Sequence, residues 1–113
     1  MVQQGEKLHI ITRRNFESDL RRHFAGEVLE VVDSVVRLRG YTFVFDTLTN
    51  QFVKRPNPRT RLFALGNSGY IVNVMPKEVS LEALAYVTDK TRDLVITDNK
   101  DFSLEIHEFG AHR

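Results

Sequence analysis

The stretch from Glu27 to Val74 most constrains the fold, because it is rich in β-branched and aromatic residues and broken only by short turns. Strands joined by so few residues pair antiparallel, since a parallel pair needs a much longer crossover. We therefore predict a mainly β fold, a small, strongly bent five-stranded sheet or barrel. The predicted strands lie near residues 27–32, 35–45, 51–55, 61–66 and 69–74, with turns at Asp33-Ser34, Thr47 to Asn50, Pro56-Asn57-Pro58 and Gly66 to Gly69.

Residues 39–53 predict a β-hairpin within this stretch. Aromatic side chains alternate from Tyr41 to Phe45, so they fall on one side of an extended strand. Asp46 and Asn50 bracket the connection, and such residues commonly hydrogen-bond their own backbone in turns. Gly40, inside the first strand, indicates a bulge or a sharp bend.

Residues 13–24 predict an N-terminal α-helix. Apolar side chains recur every four residues at Phe16, Leu20 and Phe24, and Gly26 stands where such a helix would end. The polar faces of this helix carry arginines, which would form a basic patch or an ordinary solvated surface.

The two ends of the chain add shorter elements. Residues 8–12 predict an edge strand or an extended lead-in, and residues 79–86 predict either helical turns or a strand. Two alternating runs, 94–97 and 102–106, are joined by a polar turn from Asp98 to Asp101, which predicts a C-terminal β-hairpin.

The size and composition favour one soluble domain. At 113 residues and 42% hydrophobic, the chain can bury one core. We expect a lead-in at 1–12, the barrel at 13–76 and an extension at 77–113 packed on the same domain. The chain has no cysteine and no apolar run near the roughly 18 residues that span a bilayer, so we expect a cytoplasmic protein without disulfides or membrane contact.

Basic residues concentrate in the first part of the chain. Residues 1–62 carry 11 Lys and Arg against 7 Asp and Glu, whereas residues 63–113 carry 5 against 8. This asymmetry suits contact with phosphates or association between copies, and it also occurs on ordinary solvated surfaces. The window from Lys54 to Arg61 is the most basic and holds two stiffening prolines. The candidate phosphate contacts are Arg13, Arg14, Arg21, Arg22, Lys54, Arg55, Arg59 and Arg61.

Patterns for catalysis and metal binding are sparse. The chain lacks GxxxxGK[ST], GxGxxG, HExxH and GxSxG. His107 with Glu105 and Glu108 is the one group that would suit a metal ion or a small enzyme, and a charged hairpin surface explains it as well. Asp98 and Asp101 lack the EF-hand pattern and are interpreted as turn residues. We expect no cofactor, no metal and no enzymatic activity.

Two short motifs follow one another in the β-rich stretch. In the first, a glycine inside a strand precedes an apolar alternation that ends in Asp, with an Asn four residues later: Gly40, Phe43, Phe45, Asp46 and Asn50. In the second, LFALGNSGYIVNV, two apolar strands flank Gly66 and Asn67. In this order and spacing, after a predicted helix, they resemble the motifs of the Sm-like family of Sm, LSm and Hfq proteins, over residues 13–75.

The resemblance implies a homo-oligomeric ring, a hexamer or heptamer, in which the fourth strand of one subunit pairs with the fifth strand of its neighbour. Cyclic pairing of this kind removes open sheet edges. It also implies RNA at the pore: Asn50 would hydrogen-bond a base edge, Asp46 would hold the loop, and Gly66 and Asn67 would approach the nucleotide closely.

Two positions differ from the RNA-binding members of that family. Leu48 stands where those members place a side chain that stacks on the base, and Leu65 replaces the arginine before Gly-Asn. Two functions therefore remain open. One is a non-enzymatic Sm-like ring protein that binds RNA through its basic surface and pore loops. The other is an oligomeric assembly or protein-interaction module that has lost RNA recognition.

Overall fold

The computed structural model describes residues 1–13, 16, 18, 21–88 and 94–106. Across these residues the chain forms nine β-strands in antiparallel sheets and no helix, so the prediction of a mainly β fold is confirmed. The chain divides into two compact units, Met1–Glu78 and Val79–Arg113. No helix in the described part of the chain is long and apolar enough to cross a membrane.

Unit 1 is a six-stranded antiparallel sheet. The strand order is β4-β3-β2-β1-β6, and β5 also pairs with β3. The five predicted strands correspond to β2 to β6, and their ends agree to within two residues except at the start of β2, which lies five residues earlier than predicted. The turn residues between the strands mark the other ends. The bounds are β1 Lys7–Ile11, β2 Arg22–Val32, β3 Val35–Asp46, β4 Gln51–Lys54, β5 Arg59–Ala64 and β6 Ile71–Met75.

β4 and β5 lie one after the other along the same edge of β3. β4 pairs with the end of β3, whereas β5 pairs with its beginning, from Val35 to Gly40. Between them, the N–H of Arg55 donates to the carbonyl of Thr42 at 2.9 Å. Pro56 and Pro58 then interrupt the ladder, because proline has no N–H to donate. The segment with prolines therefore aligns two short strands on one long partner.

The predicted N-terminal helix is wrong at its C-terminal end. Arg22 and Phe24 lie in β2, where Phe24 pairs with Thr42 of β3. Apolar residues four apart share one face of a strand as well as one face of a helix, so their spacing did not distinguish the two. The rest of the predicted helix lies mostly outside the described residues, at Arg14, Asn15, Glu17, Asp19 and Leu20.

β1 is an interior strand and not an edge strand. It pairs with β2 on one side and β6 on the other. Its alternate side chains Leu8 and Ile10 are fully buried and belong to the core of unit 1. The core continues across the sheet through alternate apolar residues of β2, β3 and β5: Phe24, Val28, Val36, Leu38 and Phe63.

β2 and β3 approach each other closely at a pair of glycines. Gly26 lies opposite Gly40, and a Cβ atom at Gly40 would come within 1.9 Å of the carbonyl oxygen of Ala25. The register of the two strands also shifts between Val28 and Glu30, as in a β-bulge. Gly40 is therefore required by the close approach of the β2 backbone.

Unit 2 contains β7 Ala85–Thr88, β8 Leu94–Thr97 and β9 Ser103–Glu105. β8 pairs with both of the other strands. The predicted C-terminal hairpin is confirmed by the pairing of β8 with β9. For residues 79–86, where helix and strand were both open, the structure has turns followed by the start of β7.

Asp98 organises the turn between β8 and β9, as interpreted from the sequence. Its carboxylate accepts hydrogen bonds from the backbone N–H groups of Lys100 at 3.0 Å and Phe102 at 3.3 Å. Burial raises the pKa of Asp98, but these bonds and one from the N–H of Ser80 outweigh it and hold the pKa below its ordinary value. The charged form of Asp98 thus stabilises the turn.

Candidate anion-binding site

A cavity of about 460 Å³ opens on unit 1, within the size range of small-ligand sites. Four of the predicted phosphate contacts line it: Arg22, Arg55, Arg59 and Arg61. We call this the cationic cavity. The other described residues that line it are His23, Val44, two threonines, Thr12 and Thr42, and three aromatic residues, Phe24, Phe63 and Tyr70.

The pairing of β2 with β3 positions the residues on one side of the cavity. Arg22 lies opposite Val44, and Phe24 lies opposite Thr42. Residues paired across antiparallel strands point to the same face, and residues two apart on one strand share a face as well. These four side chains therefore share the face that continues into the core.

The pairing of β3 with β5 positions the residues on the other side of the cavity. Arg59 lies opposite Gly40, and Arg61 lies opposite Leu38. Because Gly40 and Leu38 are two and four residues before Thr42, they share its face. The register thus brings together arginines that are separated by almost forty residues of chain, counted from Arg22 to Arg61.

The charged side chains among the described residues of the cavity wall are all positive. All four arginines are exposed, and no acidic residue lines the cavity in the described part of the chain. None of the four guanidinium groups forms an ion pair with a described residue, in contrast to Arg37, which pairs with Glu30. Guanidinium groups stay charged at all physiological pH values and bind phosphate oxygens with two N–H groups at once.

The two threonines of the cavity differ in their hydrogen bonding. The Oγ1 of Thr12 donates to the carbonyl oxygen of Arg22 at 2.6 Å. The Oγ1 of Thr42 is buried and has no hydrogen-bond partner among the described residues. A buried hydroxyl without a partner is uncommon in native proteins, so Thr42 needs an explanation.

Aromatic rings form the wall of the cavity next to the core. The ring centroids of Phe24 and Phe63 are 5.2 Å apart, and those of Phe63 and Tyr70 are 6.2 Å apart. Phe63 is buried, whereas Tyr70 is partly exposed and is held by the N–H that it donates to Ser68. The Tyr70 ring is thus the one in this row that a ligand can reach.

The other predicted basic residues do not line the cavity. The side chain of Arg13 packs against Gly69, where an added Cβ would lie 2.9 Å from its Cδ. The guanidinium of Arg21 lies 5.1 Å from the centre of the Phe45 ring, and the ammonium of Lys54 lies 4.3 Å from that of Tyr41. Arg14 lies outside the described residues.

Asp46 and Asn50 serve the turn that joins β3 to β4. The carboxylate of Asp46 accepts hydrogen bonds from the N–H of Leu48 at 2.9 Å and the hydroxyl of Thr49 at 3.1 Å. Asn50 has a φ of 58°, a left-handed conformation that asparagine tolerates better than most residues. The Leu48 side chain at the tip is 94% exposed.

Gly66 and Asn67 lie away from the turn that contains Asp46 and Asn50. An added Cβ at Gly66 would lie 3.1 Å from the Oγ of Ser34, and the N–H of Leu65 donates to the carbonyl oxygen of Ser34. Ser34 precedes the first residue of β3, whereas Asp46 is its last residue. The structure therefore does not bring the two predicted pore loops together within unit 1, but places them at opposite ends of β3.

A buried histidine pair lies near the cavity. The rings of His9 and His23 are perpendicular, with centroids 5.4 Å apart, and both side chains are fully or almost fully buried. The Nδ2 group of Asn73 donates to the Nδ1 of His9 at 3.2 Å, so His9 carries its proton on Nε2. Burial, and then the electrostatic effect of the nearby His23, lowers the pKa of His9 to about 3.

No group of three metal-ligating side chains occurs in the described part of the chain. Two histidines and the Asn73 amide that contacts His9 are a poor set of ligands for a metal ion. The group that the sequence singled out lies mostly beyond the described residues: Glu105 is in β9, but His107 and Glu108 are not described.

No family model, no curated protein and no solved structure matches this chain. The relationship to Sm-like proteins therefore stays a prediction, and function rests on the cationic cavity.

Proposed function

We propose that this chain is a non-enzymatic RNA-binding protein that holds phosphate groups in its cationic cavity. The observation that carries the proposal is the convergence of four arginines, without an acidic neighbour among the described lining residues, in one cavity of small-ligand size. Guanidinium groups that line one cavity without an ion-pair partner among the described residues repel one another, and an anion relieves that repulsion. Phosphate is the anion whose geometry suits several guanidinium groups.

An aromatic wall beside the arginines favours a nucleotide over inorganic anions. Proteins bind single-stranded RNA with Lys and Arg side chains that contact the phosphates and with aromatic side chains on which the bases stack. Tyr70 supplies a reachable ring within the cavity. We assign the RNA contacts to the cavity and not to Asp46 and Asn50, since the described hydrogen bonds of Asp46 and the backbone conformation of Asn50 serve the turn.

Binding of fluorescein-labelled oligo-U, followed by anisotropy over a salt series, tests the proposal. We expect affinity to fall steeply with salt, because each Arg–phosphate contact releases counterions. Changing Arg59 and Arg61 together to Gln should weaken binding by about tenfold or more. The same change should reduce the salt slope by about 1.4, because each neutralised phosphate of single-stranded RNA contributes ~0.7 to that slope.

The matched control is Arg37→Gln combined with Arg39→Gln. It removes the same charge from positions that alternate with the cavity-facing residues of β3 and so point to the other face. We expect it to change affinity by less than about threefold. Absence of binding at low salt, or equal reductions of affinity in the two double variants, would contradict RNA binding in this cavity.

An assembly module is the second candidate, and the strand edges favour it. Among the described strands, β5 pairs only with β3, and β6 pairs only with β1, so each has one open edge. Exposed apolar side chains lie on these same strands, Leu62 on β5 and Ile71 and Val74 on β6. In the predicted barrel and ring, β5 of one copy would pair with β6 of the next and cover these residues.

A further inference from the structure

We propose that the cationic cavity recognises a phosphomonoester, the dianionic terminal phosphate of an RNA strand or of a free mononucleotide, in preference to the phosphodiesters inside a strand. The inference rests on the proposed function, in that the cavity holds phosphate. It adds the chemical class of phosphate and the group that selects it.

The first argument is the balance of charge. A phosphomonoester carries about −1.5 to −2 charges at pH 7 and three strong acceptor oxygens, whereas a phosphodiester carries one charge. Arg22, Arg55, Arg59 and Arg61 meet around one cavity and have no ion-pair partner among the described residues. A single internal phosphodiester would leave most of that charge unbalanced, so the dianion fits the cavity better.

The second argument is the shape of the site. A strand bound through its internal phosphates needs a groove that follows the backbone over several nucleotides. The described arginines instead border a cavity of about 460 Å³ that has aromatic residues of the core, Phe24 and Phe63, in its wall. A cavity with a wall against the core suits the end of a strand or a single nucleotide.

The third argument is the hydroxyl of Thr42. Its Oγ1 is buried without a partner among the described residues, although Thr12, in the same cavity, has its hydroxyl bonded to the carbonyl of Arg22. A hydroxyl that donates to a phosphate oxygen would gain the hydrogen bond that the free protein does not make. Thr42 lies opposite Phe24, its backbone carbonyl accepts from the N–H of Arg55, and all three residues line the cavity. We infer that this hydroxyl selects the terminal phosphate.

Competition binding with matched ligands tests the inference. The probes are oligo-U strands of one length with a 5′-phosphate, with a 3′-phosphate or with neither, and an unphosphorylated strand longer by one nucleotide controls for the added charge. UMP and uridine serve as competitors. We expect one phosphorylated end to improve affinity by about tenfold, the longer control strand to gain less than about twofold, and UMP but not uridine to compete.

Thr42→Val isolates the hydroxyl, with Thr60→Val as the matched control. Thr60 lies between Arg59 and Arg61 but faces the other way, opposite Arg39. We expect Thr42→Val to reduce the phosphate preference to below about threefold while leaving the melting temperature unchanged or higher, since the Thr42 hydroxyl makes no hydrogen bond to a described residue. Thr60→Val should keep the preference. A Thr42→Val variant that melts earlier yet keeps the preference would show a structural role and overturn the selection by Thr42.

The outcomes separate the inference from the proposed function. Equal binding of all strands, without competition by UMP, overturns the phosphomonoester and leaves RNA binding standing. Binding of UMP without binding of any strand supports the phosphomonoester and overturns RNA binding. Failure of every probe overturns both.

Discussion

His9 is a buried residue that stays neutral in the folded chain near neutral pH. Burial of the ring opposes a positive charge on His9 most strongly, and the proximity of His23 opposes it further. Both features favour the neutral imidazole. An unfolded chain imposes neither, so its histidines take up protons near their ordinary pKa of about 6.5.

The first prediction at the residue scale is that the folded chain loses stability at low pH because of His9. The pKa of His9 is about 3 in the folded chain and lower than in the unfolded chain, so the unfolded state binds more protons between these values. The contribution of neutral His9 to stability is complete above pH ~6.5 and is lost as the pH falls toward 3, by up to roughly 5 kcal/mol. Urea unfolding at several pH values measures it.

The His9→Gln variant is the control for that titration. Gln keeps a polar group beside Asn73 but has no proton to gain, so the slope of unfolding free energy against pH should be shallower than in the parent between pH 6.5 and 3. Identical slopes would show that His9 does not stay neutral in the fold.

Residue types and face alternation predicted part of the candidate site. The basic character of Arg22, Arg55, Arg59 and Arg61 is visible in the sequence, and alternation already separated Thr42 from the aromatic side of its strand. Their convergence was not predictable, because it depends on which residues of β2 and β5 pair with β3. Register across three strands is a long-range property, and Thr42, Phe63 and Tyr70 were therefore missed.

At the scale of elements, the close crossing of β2 and β3 is the feature most sensitive to mutation. The sequence predicted a bulge or a sharp bend at Gly40; the structure shows a close approach of Ala25 there and places the register shift between Val28 and Glu30. Gly40→Ala should destabilise unit 1 by more than ~2 kcal/mol, since backbone atoms of β2 would have to move. Urea unfolding measures the decrease in stability.

Gly66→Ala is the control variant for Gly40→Ala. The nearest atom to its added Cβ is the Oγ of Ser34 at 3.1 Å, a side chain that can rotate, and its backbone φ is not in the left-handed region. We expect less than ~1 kcal/mol of destabilisation. Similar destabilisation in the two variants would mean that the contact at Gly40 relaxes without cost.

The strands and the predicted helix show why some elements are easier to predict than others. Turns rich in Asp, Asn, Gly and Pro marked the ends of β2 to β6 except the start of β2, because these residues take turn conformations at low cost. The pattern of Phe16, Leu20 and Phe24 fits both a helix and a strand. In the structure Phe24 forms a strand because it pairs with Thr42, which lies 18 positions further along the chain and is not part of the local pattern.

At the scale of the whole molecule, the fold class could be predicted but the strand order could not. Short connections exclude parallel crossovers, so an antiparallel β fold follows from local spacing. The order β4-β3-β2-β1-β6 depends on β1 entering between β2 and β6, and nothing local in residues 8–12 indicates this.

The open edges of β5 and β6 predict self-association of the whole chain. Light scattering during size exclusion at micromolar concentration should give a mass that is a multiple of the 13.1 kDa chain. Val74→Lys should shift the population toward the monomer, because it places a charge on an exposed apolar position of β6. Glu78→Lys, which lies beyond β6, is the control. A parent protein that is monomeric throughout would exclude the ring.

The cationic cavity consists of residues that meet only when β2, β3 and β5 are paired, so the unfolded chain has no equivalent of it. A compound that fills the cavity therefore raises the free energy of unfolding, by about 2.7 kcal/mol when its concentration is ~100 times its Kd. The melting temperature becomes a sensor of occupancy. A nucleotide collection can thus be ranked by thermal shift without labelling either partner.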